Sequence, residues 1–210
     1  MTLLYKNKFL LYLFVFLLGV LSSFGLPPYN LFFTNFFSYP VFLWVLLSNP
    51  KDKLISFNLG WMFGFGYFVS SLYWITNSLT FEEIFKPLIP FALILIPLFL
   101  GLFYGLSTLI FSFLNPKKNF LSILILATSL SIFEYIRSFV FSGFPWNLIA
   151  FSFVNYLEFI QLLSITGTYA FNSIIIILFL LPAVIFFNYK KKIKISILSI
   201  SLLIIFINYF

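Results

Sequence analysis

Glu134-Tyr135-Ile136-Arg137-Ser138, running on into Ser142-Gly143-Phe144-Pro145-Trp146-Asn147, is the stretch on which the reading of this chain turns. An acid and the chain's only arginine stand three residues apart near the end of a long apolar run, and a Gly/Pro/aromatic break follows at once. Charge is expensive in hydrocarbon and is retained there when it has a partner or a task. A run that breaks and then places Phe-Pro-Trp is turning at a membrane interface, not crossing it.

Around that stretch the chain is 62% hydrophobic and 8% charged, against about 25% charged in a soluble domain. Such a composition cannot cover a water-facing surface. The apolar runs are continuous rather than alternating, so the expected fold class is all-α, a polytopic transmembrane helical bundle of about seven spans, and not a β-barrel. Cysteine and histidine are both absent, which removes disulfides, thiolate metal sites, cysteine nucleophiles and histidine bases together. No metal and no cofactor are expected. The net charge of +7 sits in short lysine clusters between apolar runs. That is an orientation pattern and not a nucleic-acid face, so no nucleic-acid partner is expected.

The spans are predicted near 9–26, 31–47, 54–75, 88–114, 120–141, 160–187 and 193–210, within one domain covering 1–210. The first is stopped by Pro27-Pro28. A cleaved signal peptide is its competing reading, but the run is long and shows no small-x-small cleavage site. The second is the weakest, with Thr34, Asn35 and Ser38 in its first half and Pro40 inside it. The third carries Gly60 and Gly64 with Gly66 beside them, a spacing that lets a neighbouring helix approach closely. The path of residues 142–158 is left open, either re-entrant or lying along the interface. No internal repeat is visible, which weakens a transporter built from inverted halves.

Lys6 and Lys8, Lys51 and Lys53, Lys117 and Lys118, and the cluster Lys190, Lys191, Lys192 and Lys194 fall on one side of these spans. The Glu82/Glu83/Lys86 loop and the Phe-Pro-Trp break fall on the other. The lysine bias places the N-terminus in the cytoplasm, and the break and the Trp74 end on the outer face, which in a bacterium is periplasmic.

The residues then become recognisable. Leu26-Pro27-Pro28-Tyr29, Gly64-Phe65-Gly66, Leu72-Tyr73-Trp74-Ile75, Glu134 with Arg137-Ser138, Gly143-Phe144-Pro145-Trp146, and Gly167-Thr168-Tyr169 with Asn172 occur in that order over nearly the whole chain. In this the chain resembles the membrane domain of bacterial apolipoprotein N-acyltransferase. The resemblance implies a protein of the inner membrane and a part in lipoprotein maturation. In that reaction an acyl chain passes from a phospholipid donor to the N-terminal S-diacylglyceryl cysteine of an apolipoprotein acceptor. The family works through a thioester on an enzyme cysteine, helped by a glutamate base and an oxyanion-stabilising lysine, all in a periplasmic nitrilase-like α/β domain after the seventh span. This sequence ends where that domain should begin and has no cysteine to carry the acyl group. The expectation is therefore a fragment, or one half of a split enzyme whose partner is a separately encoded nitrilase-like domain. The chain is expected to be inactive alone, and no catalytic residue is assigned to it.

The candidate lipid- or substrate-binding residues are Trp74, Asn77, Glu134, Arg137, Phe144, Pro145, Trp146, Tyr169 and Asn172. Each also has a plainer reading. Glu134 and Arg137, at i and i+3, can face each other and neutralise each other with no ligand. Otherwise Arg137 meets a phospholipid phosphate while Glu134 orients it. Phe144-Pro145-Trp146 shapes the mouth of a lipid pocket or is an interfacial anchor, and Trp74 and Asn77 read as aromatic-belt residues. Tyr169 and Asn172 read as interhelical hydrogen-bonding groups. The alternative function is a stand-alone lipid-binding or transport protein that uses Glu134 and Arg137 as a polar pathway.

Overall fold

A computed structural model of the chain describes residues 7–48, 52–141 and 143–207. Lys6, Lys51 and Ser142, named above, and the last three residues of the 193–210 run lie outside the described residues. Seven longer helices carry the architecture of the described residues: α1 (Lys8–Ser23), α2 (Asn35–Ser48), α3 (Lys53–Ser71), α4 (Ile89–Leu114), α5 (Phe120–Arg137), α6 (Thr168–Leu180) and α7 (Lys191–Ile207). No strand occurs among the described residues. The molecule is a helical membrane bundle. Three helical runs, Glu83–Leu114, Phe120–Arg137 and Thr168–Phe186, are long and apolar enough to cross a bilayer, and Lys8–Ser23 and Phe32–Ser48 are shorter apolar helices.

Local chemistry explains where these helices begin and end. Asn7 caps α1, its side-chain oxygen accepting the Phe9 and Leu10 amides, and Asp52 caps α3 through the Ile55 amide. At the other end of α4, Asn115 takes the left-handed conformation (φ 43°) that closes a helix C-terminus. At about 1.5 Å per residue, the 26 residues of α4 exceed a hydrocarbon core of about 30 Å. Pro40 lies within α2 and Pro97 within α4.

Glycine sets how closely the central helices pack. A Cβ on Gly19 of α1 would stand 2.0 Å from the Phe63 carbonyl oxygen, and one on Gly66 of α3 would stand 2.1 Å from that of Phe16. The backbones of α1 and α3 therefore touch, running parallel, with Ser70 Oγ bonded to Ser23 Oγ at 2.8 Å. On its other side α3 runs antiparallel to α4. There Gly60 and Gly64 meet Tyr104, Thr108 and Gly101, Thr108 Oγ1 donates to the Ser56 carbonyl (2.8 Å) and Trp61 Nε1 to that of Leu98 (2.8 Å). Such close, hydrogen-bonded approaches drive association where lipid removes the hydrophobic contrast.

Two ends of the bundle follow. Lys53 Nζ lies 3.9 Å from the Phe113 ring centroid, and the Phe120 amide donates to the Tyr189 hydroxyl at 2.7 Å. The start of α3, the end of α4, the start of α5 and the Tyr189 segment thus share one end, which carries Lys53, Lys117, Lys118 and the Lys190–Lys194 cluster. The C-termini of α1, α3 and α5 share the other end, with Trp74 and Trp146.

The chain departs from the expected helix over 160–187. Single turns at Leu157–Ile160 and Leu163–Thr166 precede α6, which starts only at Thr168. Gly167, at φ +76° and ψ 162°, breaks the helical path immediately before it. Past α3, residues Tyr73–Thr80 and Glu83–Leu88 form tighter 3₁₀ turns whose side chains stay at least partly exposed.

Candidate functional site

The helix carrying Glu134 and Arg137 ends at Arg137, and the chain reverses within a few residues. Phe141 (φ 56°) and Gly143 (φ 78°) take left-handed conformations, and a Cβ on Gly143 would lie 2.3 Å from the Ser138 carbonyl oxygen. Glycine is required at such a position. The reversal returns the Phe144 amide to the Arg137 carbonyl at 3.1 Å, one of the orphan acceptors at a helix end. Residues 143–148 then run without regular structure across the bundle end, and Ile149–Phe153 make a 3₁₀ turn in which Ile149, Ala150, Ser152 and Phe153 are buried.

Irregular backbone at this depth needs partners from the protein; α3 and α6 bond the backbone, and α2, braced by α1, bonds a side chain of the segment. Tyr67 Oη of α3 donates to the Asn147 carbonyl (2.9 Å), and Asn147 Nδ2 donates to that of Ser71 (3.2 Å). The Ala150 amide donates to Asn172 Oδ1 of α6 at 3.0 Å. Asn35 Nδ2 of α2 reaches Ser152 Oγ at 3.4 Å, and Ser22 Oγ of α1 donates to Asn35 Oδ1 at 2.7 Å. The path that the sequence left open is thus a segment laid into the bundle end and pinned by side chains.

Glu134 belongs to this pinning. It is 1% exposed. Tyr104 Oη of α4 donates to Glu134 Oε1 at 2.9 Å, and Asn172 Nδ2 donates to Oε2. Asn172 joins the carboxylate to the buried Ala150 amide, so α4, α5, α6 and the irregular segment are tied through one acid.

Arg137 makes no hydrogen bond to it, so the direct contact allowed by their spacing is not formed, although the two charges still interact across the gap. No ion pair joins Glu134 to Arg137; among the described residues the ion pair is Lys86 with Glu83, in the exposed loop. Each Glu134 carboxylate oxygen instead accepts from a donor on another helix. Arg137 is also 1% exposed, and its Nε, Nη1 and Nη2 have no hydrogen-bond partner among the described residues. Aromatic rings flank it instead, with Cζ 5.0 Å from the Phe68 ring centroid and 5.6 Å from that of Phe144.

At the same end, Leu26, Pro27, Trp74, Trp146, Asn147 and Phe151 line a cavity of about 350 Å³. The structure therefore gathers Trp74 and Trp146 around one cavity, Phe144 against Arg137, and Glu134 with Asn172. Asn77 is exposed in the 3₁₀ turns and does not join them. Pro145 is exposed between Phe144 and Trp146. Tyr169 sets its ring edge-on to Tyr135, centroids 5.1 Å apart, beside a separate groove of about 270 Å³. The sequence reading missed Tyr67, Tyr104 and Phe68, and it quoted Asn147 without giving it a role. Tyr104 carried a signal, since a hydroxyl inside an apolar helix must find a partner.

A family model for the apolipoprotein N-acyltransferase N-terminal domain matches residues 18–181. The chain belongs to this family. Among its curated relatives, the apolipoprotein N-acyltransferase of Sinorhizobium fredii is 32% identical over 179 residues, covering 81% of this chain and 34% of that protein. Those of Brucella suis (33% identical; 80% of this chain, 33% of that protein) and Sinorhizobium medicae (34%; 81% and 34%) are similar to it to the same degree. The chain spans about a third of the length of these relatives. The matched region of the apolipoprotein N-acyltransferase domain runs from within α1 through α6, and so includes the whole bundle end described above.

Proposed function

We propose that the chain is the membrane part of an apolipoprotein N-acyltransferase, and that its Trp74/Trp146 end receives the lipid groups of both substrates, the phospholipid acyl donor and the diacylglyceryl cysteine of the apolipoprotein. The observation that carries this reading is the convergence of Leu26-Pro27, Trp74 and Trp146 on one cavity at the bundle end opposite the lysine clusters. The lysine distribution supports a cytoplasmic N-terminus, which puts this cavity at the periplasmic face of the inner membrane. Phe144, Pro145, Trp146 and Trp74 shape the rim; Glu134 and Asn172 hold the segment that carries it. Acyl transfer itself needs a thiolate. The 210 residues contain no cysteine, so the chemical step is assigned to a nitrilase-like domain outside them, and the chain is expected to transfer nothing alone. Transport through a Glu134–Arg137 pathway is disfavoured, because the carboxylate is already engaged and the guanidinium is enclosed.

The test is photo-crosslinking of the chain in phospholipid nanodiscs with a diacylglyceryl-cysteinyl peptide bearing a photoreactive acyl chain. Crosslinks are expected to concentrate in residues 71–74 and 146–154, with no N-acylated peptide formed. Trp146→Ala should lower their yield about tenfold, the equivalent of one lost aromatic contact. Crosslinks spread evenly over the lipid-facing helices, or an N-acylated product, would overturn the reading.

A further inference from the structure

Arg137 is the group that the bundle does not explain. Its guanidinium offers five N–H donors in a planar fork, and a buried cation normally keeps company with a carboxylate or with carbonyl oxygens. Here the rings of Phe68 and Phe144 lie beside it, their centroids 5.0 and 5.6 Å from Cζ, an arrangement that attracts a cation through the ring quadrupoles. The in-plane edge, which carries all the donors, has no acceptor among the described residues. Glu134, one turn earlier, is engaged by Tyr104 and Asn172. A buried guanidinium set beside two rings, whose donors have no acceptor among the described residues, is suited to a bidentate oxyanion.

The two rings differ in a way that gives a direction of approach. Phe68 is 0% exposed and sits in α3. Phe144 is half-buried and rides on the irregular segment after Gly143, so the route to Arg137 lies on the Phe144 side. The neighbouring residues Trp146 and Asn147 line the apolar cavity, so an anion held at Arg137 would have space for attached hydrocarbon close by.

We propose that Arg137 is the floor of a phosphate-binding site, with Phe144 as its movable cover, taking the phosphate oxygens of a phospholipid headgroup. This rests on the lipid-handling reading above and deepens it. It assigns Arg137 to discrimination between phosphate-bearing lipid and neutral diacylglycerol. Its roles are binding and positioning, and no bond is made or broken there.

The full chain in neutral maltoside micelles is titrated with dioctanoyl-phosphatidylglycerol, with dioctanoylglycerol and with inorganic phosphate, reading tryptophan emission and phosphorus NMR line width. The phosphatidyl lipid is expected to bind at least tenfold tighter than the matched diacylglycerol, a preference of the size expected for a charge-assisted contact. Arg137→Gln should remove that preference, and Arg137→Lys, which keeps the charge but not the fork, should retain only part of it. Phe144→Ala should keep the preference and speed binding. Competition by inorganic phosphate would show that the oxyanion suffices, and its absence that the site needs the esterified headgroup; both agree with a phosphate site. Equal binding of the two lipids overturns the proposal, as does a preference that survives Arg137→Gln. If Arg137→Gln does not fold, a preference unchanged in Arg137→Lys overturns it equally. The lipidated peptide plays no part here, so loss of headgroup preference with intact peptide crosslinking would sink this inference alone.

Discussion

Gly66→Ala is expected to destabilise the bundle by about 3 kcal/mol, the upper part of the range for overpacking a close-packed site. The added Cβ would stand 2.1 Å from the Phe16 carbonyl oxygen and 3.2 Å from the Val20 nitrogen. Both are backbone atoms, so no side-chain rotation relieves the clash and α1 must move away from α3. That movement also stretches the 2.8 Å bond between Ser70 and Ser23. Gly19→Ala, which meets the Phe63 carbonyl oxygen at 2.0 Å, should behave alike. Gly105→Ala is the internal control. Its nearest neighbours are ring atoms of Phe57, at 2.9 Å and beyond, and a ring can shift, so about 1 kcal/mol is expected. Reversible unfolding in mixed micelles, followed by tryptophan emission, orders the three. An equal cost at Gly66 and Gly105 would contradict the backbone contact between α1 and α3.

The second large effect is expected at Glu134. Glu134→Ala strands the Tyr104 hydroxyl and the Asn172 amide in the bundle interior, at about 1–3 kcal/mol for each unsatisfied donor. A total of about 4 kcal/mol is expected. Glu134→Gln should recover more than half of that. Its amide oxygen can accept from Asn172, which cannot turn over because its Oδ1 already accepts the Ala150 amide. The Tyr104 hydroxyl can then accept from the glutamine NH₂ instead of donating. The same micelle unfolding experiment, followed by tryptophan emission, measures both variants. If alanine and glutamine cost the same, the carboxylate is not accepting from both Tyr104 and Asn172.

These two predictions also show what was legible in the sequence. Long apolar runs located the helices, because a run of that length must be satisfied by its own backbone in a bilayer. Gly60, Gly64 and Gly66 announced close packing, and the structure uses them against two different helices. The Glu134–Arg137 relation was not legible. Their i, i+3 spacing says only that the side chains can meet, and the partners Glu134 takes, Tyr104 and Asn172, stand 30 and 38 residues away. The path after Arg137 was hidden for the same reason. Its backbone is bonded by Tyr67 and Asn172, and its Asn147 and Ser152 side chains by the Ser71 carbonyl and Asn35, contacts of long sequence separation with no local periodicity. The late start of α6 at Thr168 follows from Gly167, a residue that could equally have served packing.

The account rests on two bundle ends facing opposite sides of the membrane, with the aromatic cavity at one and the lysines at the other. Because the chain contains no cysteine, Trp146→Cys and Lys191→Cys each introduce a unique thiol without further change. Spheroplasts expressing either variant are treated with a membrane-impermeant maleimide before and after permeabilisation. Trp146→Cys is predicted to react in intact spheroplasts, and Lys191→Cys only once the membrane is opened. Labelling of both from the same side would contradict the arrangement and, with it, the placement of the lipid-receiving end.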